Sequence, residues 1–283
     1  MTTTTETAKG PSVKVLILRA AGTNCDDEAQ VAFEQAGATC ERLHINALFA
    51  APQRLHEAQI LVLPGGFSYG DDIHSGKVLA TELRQRLGAD LKRFLAAGKL
   101  ILGICNGFQV LVKTGLIPLG AAGLDVPVRE LPLTLTWNRS GHYECRWTTL
   151  RVAPEAAAAS PFLTRMERLH VPVAHAEGRL IAPQRTRERL AQAGQVAFQY
   201  TNPHDGRPTQ EFPHNPNGSD DAIAGLMDPS GQILGLMPHP ERAVLWTQLP
   251  EFSRRDHPSN AQPPAMTLFR NAVQHATNLT VPV

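Results

Sequence analysis

The sequence has no long apolar run and no surplus of charge of either sign. Of its 283 residues, 27 are Lys or Arg and 26 are Asp or Glu, so the formal net charge is +1. This balance argues against a broad electrostatic surface for nucleic acid or anionic lipid. The longest apolar runs, such as residues 100–104, are far shorter than the roughly 20 residues that a membrane-spanning helix needs. We therefore expect no nucleic-acid partner and no membrane span.

Paired cysteines, a secretory leader and a phosphate loop are also missing. Four cysteines without paired spacing do not form a disulfide framework in a chain of this length, and we interpret Cys25 and Cys40 as packing residues. Residues 1–12 have no apolar stretch behind a basic head, which predicts a disordered polar tail rather than a signal peptide. No segment matches the Walker pattern for ATP. We expect a globular protein of a reducing compartment, with the cytoplasm as its location.

The order of apolar and helical patterns predicts the fold class. Strands are predicted at 13–18, 39–45, 59–66 and 99–104, and helices at 25–37, 78–97 and 106–115. Buried strands that alternate with helices predict a parallel sheet covered on both faces. Alternating polar and apolar residues predict antiparallel strands within 133–152, 171–183, 195–200 and 222–237, before a helix at 265–276. We expect an α/β fold, flavodoxin-like and mostly parallel with an antiparallel extension, as one domain over 13–283.

The sharpest local signal is the pentapeptide Gly-Ile-Cys-Asn-Gly at 103–107. It joins a predicted buried strand to a predicted helix, which is the setting of a nucleophile elbow. Glycines two positions before and after the cysteine leave room for such a turn, and a helix N-terminus favours the thiolate. A free cysteine is commonly just a small buried hydrophobe. Strand, turn and helix together nevertheless predict that Cys105 is a nucleophile.

A base and an orienting group follow in Met-Pro-His-Pro-Glu-Arg at 237–242. A cysteine nucleophile needs a base, and the base needs a group that holds it. The two prolines predict an extended segment, on which His239 and Glu241 would project to the same side. Glu241 could then accept the second N–H of the imidazole. Alone, such a pair is usually a surface ion pair, but with Cys105 it predicts a Cys-His-Glu triad.

Hydrogen-bond donors for a developing oxyanion are the remaining requirement of amide or ester cleavage. The N–H of Asn106 is one candidate, and the Pro-Gly-Gly sequence at 64–66 offers flexible amides at the same edge of the sheet. By itself Pro-Gly-Gly indicates only a strand-to-helix turn. The eleven histidines show no metal-ligand spacing, since the pair His142 and Cys145 has no second pair at a zinc-like interval. We therefore expect no metal site.

Five motifs carry a resemblance to a known family: PGGFSYGDD, GICNGFQVLVKTGLIP, AHAEGRL, NPNGS and GLMPHPER. In this order, over residues 13–242, the chain resembles triad-type (class I) glutamine amidotransferases. FSYGDD, CNGFQ and NPNGS resemble, more narrowly, the glutaminase subunits of phosphoribosylformylglycinamidine synthases. Ala176 stands where that pattern has glycine, and the stretches 154–160, 201–214 and 247–264 are longer than in compact members.

The resemblance implies a role for each residue of the triad. Cys105 would attack the side-chain carboxamide of glutamine and form a glutamyl thioester. His239 would protonate the departing ammonia and then activate water, while Glu241 holds His239. The backbone amides of Gly66 and Asn106 would form the oxyanion hole.

The resemblance also implies a substrate pocket and partners. Gln109 would help to hold the amino-acid end of glutamine, with Asn138 and Ser140 in the same pocket. No cofactor is expected on this chain; ATP and Mg²⁺ would bind a large synthetase subunit, with or without a small bridging subunit. The complex would convert formylglycinamide ribonucleotide into its amidine in purine synthesis. Ammonia must be delivered through a sealed path, because ammonium has no lone pair for attack, so we expect glutaminase activity to rise when the synthetase binds.

Three alternatives stay open at this point. A glutaminase of the same type could serve another synthetase, such as those for anthranilate or guanylate, although FSYGDD and NPNGS weigh against it. A stand-alone cysteine hydrolase or chaperone could use a similar sheet, but it would not need the PHPE segment. A non-catalytic binding subunit could keep the fold, against which the intact Cys105, His239 and Glu241 argue.

Overall fold

The computed structural model describes residues 12–254 and 261–280. The strands are β1 (Lys14–Arg19), β2 (Thr39–His44), β3 (Ile60–Leu63), β4 (Leu100–Ile104), β5 (Thr134–Thr136), β6 (Glu144–Val152), β7 (Arg168–His175), β8 (Arg179–Ile181), β9 (Val196–Tyr200), β10 (Ile223–Met227) and β11 (Ile233–Leu236). The helices are α1 (Asp26–Gln35), α2 (Ile45–Ala50), α3 (Gln53–Glu57), α4 (Lys77–Ala96), α5 (Asn106–Thr114), α6 (Leu116–Leu119), α7 (Pro154–Ala159), α8 (Gln184–Gln192) and α9 (Met266–Thr280). The predicted tail at 1–12 lies, apart from its last residue, outside the described residues.

A nine-stranded sheet with the order β2-β1-β3-β4-β11-β10-β9-β6-β7 organises the fold. The pairings from β2 to β11 are parallel, and those from β11 to β7 are antiparallel. β5 and β8 form a separate antiparallel pair. This confirms the predicted α/β class, with a parallel sheet and an antiparallel extension. β11 was expected in the antiparallel part, but it joins the two parts, since it runs parallel to β4 and antiparallel to β10.

The core lies on both faces of the central strands. Every residue of β3, β4 and β11 is buried, as expected where helices cover a parallel sheet on both sides. α1 and α9 pack against each other through an edge-to-face contact of Phe33 and Phe269, with ring centroids 5.1 Å apart. The continuous apolar runs that predicted β1, β3 and β4 are therefore accounted for by two-sided burial.

α5 and the short helix α6 that follows it are largely buried. All residues of α5 except Lys113 are buried, so this helix belongs to the core. No single helix among the described residues is long and apolar enough to cross a membrane. Asn106–Thr114 and Leu116–Asp125 satisfy the length and composition criterion only as a pair, across a bend of 42°.

The topology brings four loops to one edge of the sheet. β1, β3, β4 and β11 are mutually parallel, so their carboxyl ends lie at the same edge. The segments that follow them are 20–25, 64–67, 105 and 237–242. The carboxyl edge of a parallel sheet is where α/β proteins form their binding sites, and three of these four segments contain predicted site residues.

Candidate active site

Cys105 occupies a strained turn between β4 and α5. Its φ of 51° and ψ of −105° lie in a region that non-glycine residues rarely adopt. A Cβ added to Gly107 would lie 1.8 Å from the carbonyl oxygen of Leu63, and one added to Gly103 would lie 2.7 Å from that of Gly107. The two glycines therefore permit the sharp strand-to-helix turn that the pentapeptide predicts.

His239 and Glu241 form a buried hydrogen-bonded pair. Nδ1 of His239 lies 2.6 Å from Oε1 of Glu241, and both side chains are almost fully buried. The backbone N–H of His239 donates to the carbonyl of Pro172 in β7 at 2.8 Å. The prediction of an extended segment is wrong here, because Pro240–Arg242 forms a 3₁₀ turn. Proline fixes φ near −65°, a value that suits the first residue of a helical turn as well as extended backbone.

The imidazole of His239 interacts with two thiols, those of Cys105 and Cys25. Burial alone would lower the pKa of His239, but the Glu241 carboxylate and then the Cys105 sulfur outweigh burial and raise it well above 6.5. A protonated ring beside a sulfur stabilises a thiolate–imidazolium pair. Nε2 makes no well-aligned hydrogen bond with the described residues; catalytic bonds commonly tighten only when substrate binds.

Gly66 and Asn106 present backbone amides near the thiol. Asn106 is the first residue of α5, so its N–H has no acceptor within the helix. Gly66 forms an isolated β-bridge with Thr23. The N–H groups of Asn24 and Phe67 donate the backbone hydrogen bonds that flank this bridge, and the N–H of Gly66 is not part of them. Its φ is 143°, and a Cβ there would lie 2.6 Å from the carbonyl oxygen of Gly22. Both predicted donors therefore lie at the sheet edge that holds Cys105.

A cavity of about 240 Å³ opens beside Cys105 and includes Gly66 and Gln109 among its lining residues. Asp71 and Glu177, which sequence reasoning did not single out, also line it. They fall in the FSYGDD and AHAEGRL motifs, so only their place in these family motifs could have indicated them. Their carboxylates give the cavity an acidic wall, suited to the ammonium group of an amino acid.

A hydrogen-bond network fixes that wall. The side-chain amide of Gln109 donates to the carbonyl of Glu177 at 2.5 Å and accepts from Nδ2 of Asn106 at 3.0 Å. Nδ2 of Asn106 also donates to Asp71 at 3.1 Å. Burial raises the pKa of Asp71, although the hydrogen bonds that its carboxylate accepts from Ser75, Gly76 and Asn106 act in the opposite direction. Gln109 therefore shapes the cavity with its amide already engaged at both ends.

Asn138 and Ser140 are not among the residues that line this cavity, and their contact with glutamine stays a prediction. Asn138 is buried, and its side-chain amide donates to the carbonyls of His142 and His175 and accepts from the N–H of Gly178. It therefore supports the loop that carries the cavity wall. Ser140 is exposed, donates to Glu144 at 2.8 Å and lines a different cavity.

His175 is a further residue that sequence reasoning missed. It is buried and lines the cavity, and burial, followed by the charge of His239, lowers its pKa to about 3. Its Nδ1 lies 3.1 Å from Oδ1 of Asn138, which places the proton on Nδ1. A Cβ on Gly178 would lie 2.3 Å from the ring, so that glycine makes space for it. A neutral His175 thus adds no charge beside a protonated His239.

Three groups that metals can bind lie together at the site. Ligand atoms of Cys25, His239 and Glu241 all lie within 4.8 Å of one another, the one such cluster within residues 12–254 and 261–280. The guanidinium of Arg242 donates to Sγ of Cys25 at 2.9 Å, and this positive charge opposes a cation at the same sulfur. The arrangement therefore fits a protonated imidazole between sulfur and carboxylate better than a metal.

Comparisons with known proteins show the family to which the chain belongs. The family model for the CobB/CobQ-like glutamine amidotransferase domain matches residues 12–276. The phosphoribosylformylglycinamidine synthase subunit PurQ of Dehalococcoides mccartyi is 45% identical, over 93% of this chain and 98% of the relative. The PurQ subunit of Methanococcus maripaludis strain C7 is 40% identical, over 84% of this chain and 85% of the relative.

Among solved structures, PurLQS from Thermotoga maritima is similar to the fold. The match has a TM-score of 0.66 at 27% sequence identity, and it covers 93% of this chain and 99% of the matched chain. Fold, elbow and family model define a glutamine amidotransferase, and the chain belongs to the CobB/CobQ-like glutamine amidotransferase family. Within that family, its similarity is to the PurQ subunits of phosphoribosylformylglycinamidine synthase.

Proposed function

We propose that this chain is the glutaminase subunit of phosphoribosylformylglycinamidine synthase. It hydrolyses glutamine and passes the ammonia to an ATP-dependent synthetase subunit, which makes formylglycinamidine ribonucleotide in purine biosynthesis. The observation that carries the chemistry is the Cys105 thiol in a strained elbow beside an imidazole that Glu241 holds at 2.6 Å. The choice of synthase is supported by the 45% identity to a PurQ subunit over 93% of the chain.

In the first half of the reaction, the Cys105 thiolate attacks the side-chain carbonyl carbon of glutamine. The N–H groups of Gly66 and Asn106 stabilise the tetrahedral oxyanion. The imidazolium of His239 donates its proton to the carboxamide nitrogen as the carbon–nitrogen bond breaks. Ammonia leaves, and a glutamyl thioester and a neutral imidazole remain.

In the second half, water replaces ammonia beside the ring. His239 takes a proton from the water as its oxygen attacks the thioester carbonyl, and the Cys105 thiolate leaves. Glutamate is released and the imidazolium is restored, so glutamine and water yield glutamate and ammonia. Glu241 keeps its hydrogen bond with Nδ1 of His239 and fixes the ring tautomer.

Recognition of glutamine and of a partner uses the walls of the cavity. Asp71 and Glu177 face the α-ammonium group of glutamine in this proposal. Phe67 and Trp137 line the same cavity and are 43% and 55% exposed. Exposed apolar rims are typical of protein interfaces, which supports closure of the cavity by the synthetase side of a complex such as PurLQS. ATP and Mg²⁺ belong to that partner, and the free state of all four cysteines fits a cytoplasmic complex.

Reconstitution tests the proposal. The chain is mixed with the matching synthetase subunits, formylglycinamide ribonucleotide, ATP and Mg²⁺, and glutamate and amidine formation are measured. We expect slow glutamate release by the chain alone, a rise when the synthetase is present, and one amidine formed per glutamate. Equal release with and without the synthetase would count against coupling. Productive transfer to a guanylate or anthranilate synthetase instead would reassign the chain to that partner.

Glu241→Gln is expected to lower kcat roughly a hundredfold to a thousandfold with little change in KM. Glutamine cannot stabilise an imidazolium, and its amide can hold the ring in the wrong tautomer. Glu241 is buried and is not among the residues that line the glutamine cavity, so substrate binding should persist. Steady-state glutaminase assays of the reconstituted complex provide the measurement. Unchanged turnover would favour the stand-alone hydrolase alternative.

A further inference from the structure

We propose that Cys25 is a positioning residue of this glutaminase, whose sulfur, held by Arg242, keeps the His239 imidazole directed toward Cys105. The proposal rests on the proposed function and assigns a second thiol at the site a role of its own. Cys25 acts through His239, because its sulfur lies within 4.8 Å of a ring nitrogen of that residue.

The fold places Cys25 against the imidazole from a separate loop. Cys25 precedes α1, is 1% exposed, and donates its backbone N–H to the carbonyl of Gly65 at 3.2 Å. A Cβ added to Gly65 would lie 2.9 Å from Sγ of Cys25 and 2.8 Å from Cε1 of His239. Glycine at 65 therefore leaves the space in which sulfur and ring approach each other.

Arg242 holds the sulfur of Cys25 through a hydrogen bond. Its Nη2 donates to Sγ of Cys25 at 2.9 Å, and its Nε lies 3.8 Å from the Glu28 carboxylate of α1. The same turn carries His239 and Arg242, so this bond ties the loop after β1 to the segment that holds the base. The Cys25 thiol also donates to Oδ1 of Asn24 at 3.1 Å, and its contact with the imidazole raises the pKa of His239.

The charge of His239 depends on groups from several elements. Those that interact with it are Glu241 on its own turn, Cys105 at the elbow, Cys25 before α1, His175 on β7 and Tyr143 before β6. Arg242, on the same turn, interacts with Cys25 and Glu241. Of the two sulfurs, that of Cys105 is bonded to the glutamyl group at the thioester stage, whereas that of Cys25 keeps its contact with His239. Cys25 therefore supplies a constant contact while the charge on Cys105 changes.

The test is Cys25→Ala in the reconstituted complex, with kcat and KM measured across pH. Removing the sulfur lowers the pKa of His239, so the imidazolium that protonates the departing carboxamide nitrogen is lost at a lower pH. We expect the alkaline limb of kcat to move down by roughly half a unit to one unit, and kcat to fall about threefold to tenfold, with KM unchanged. Cys25→Ser retains an acceptor for Arg242 and should restore part of both changes.

Cys40→Ala is the matched control. Cys40 lies on β2, where its thiol contacts the backbone carbonyl of Gln30 at 3.8 Å, so the control removes a thiol without touching the imidazole. We expect its alkaline limb to match the wild type. The contrary result would be an active Cys25→Ala or Cys25→Ser variant that keeps the wild-type kcat and the wild-type alkaline limb of kcat, and differs only in a lower thermal midpoint. Cys25 would then be a packing residue, and this inference alone would be overturned. Absence of glutamine hydrolysis by the wild-type complex would instead overturn the proposed function, and the inference with it.

Discussion

Replacement of Cys105 by serine is expected to reduce glutamine-dependent amidine formation by roughly ten-thousandfold or more. A hydroxyl lacks the thiolate character that the helix N-terminus and the imidazolium confer on a thiol, so the thioester step has no competent nucleophile. The chain should still fold and bind its partner, because the serine side chain is slightly smaller and fits the same turn. Ammonia supplied directly bypasses the glutaminase site, so ammonia-dependent synthesis should persist.

The measurement compares the two nitrogen sources and locates the reactive thiol. Wild-type and variant complexes are assayed with glutamine and with an ammonium salt, and each is treated with a diazo-ketone analogue of glutamine before mass spectrometry. We expect one adduct on Cys105 in the wild type and none in the variant. Cys145→Ser, which removes an exposed thiol on β6, is the control and should label normally. An adduct on another cysteine, or retained glutamine turnover in Cys105→Ser, would contradict the triad.

The parallel half of the sheet could be predicted closely, because local burial determines its sequence pattern. β1, β3 and β4 are buried on both faces, so their residues form continuous apolar runs that differ little from the observed bounds. β11 has the same apolar character, but its neighbours on the two sides run in opposite directions. The pairing of β11 with β4 joins residues 132 positions apart and leaves no trace in periodicity, so the place of β11 could not be deduced.

In the candidate site, too, some features could be predicted from the sequence and others could not. Cys105 was predictable because strand, glycines and helix adjoin it in the sequence, and the pair His239 and Glu241 because a single hexapeptide contains both. The backbone conformation between His239 and Glu241 could not be predicted, since proline permits an extended segment and a 3₁₀ turn alike. Cys25 was interpreted as packing, which its burial supports. Its approach to His239 depends on the parallel order of β1, β3, β4 and β11, which no local pattern encodes.

Gly107→Ala is expected to destabilise the protein by about 3 kcal/mol or more and to lower glutaminase activity about a hundredfold. The added methyl would lie 1.8 Å from the carbonyl oxygen of Leu63, which is backbone of a fully buried strand and cannot move aside as a side chain would. Relief requires α5 to shift away from β3, and α5 begins directly after Cys105. A displacement of about 1 Å at a nucleophile can cost a hundredfold in rate, so activity should fall by about that factor even in molecules that remain folded.

Gly88→Ala provides the matched control, because it makes the same substitution in the middle of α4. A Cβ at position 88 meets nothing within 4 Å, and alanine has a higher helix propensity than glycine, so we expect a gain of about 0.5–1 kcal/mol and normal activity. Thermal unfolding of both variants measures the contrast; a loss of 3 kcal/mol corresponds to a fall in Tm of roughly 6–12 °C in a protein of this size. Wild-type stability and turnover in Gly107→Ala would mean that the elbow tolerates a side chain at this position. The close approach of α5 to β3 would then not be what holds Cys105 in its strained conformation.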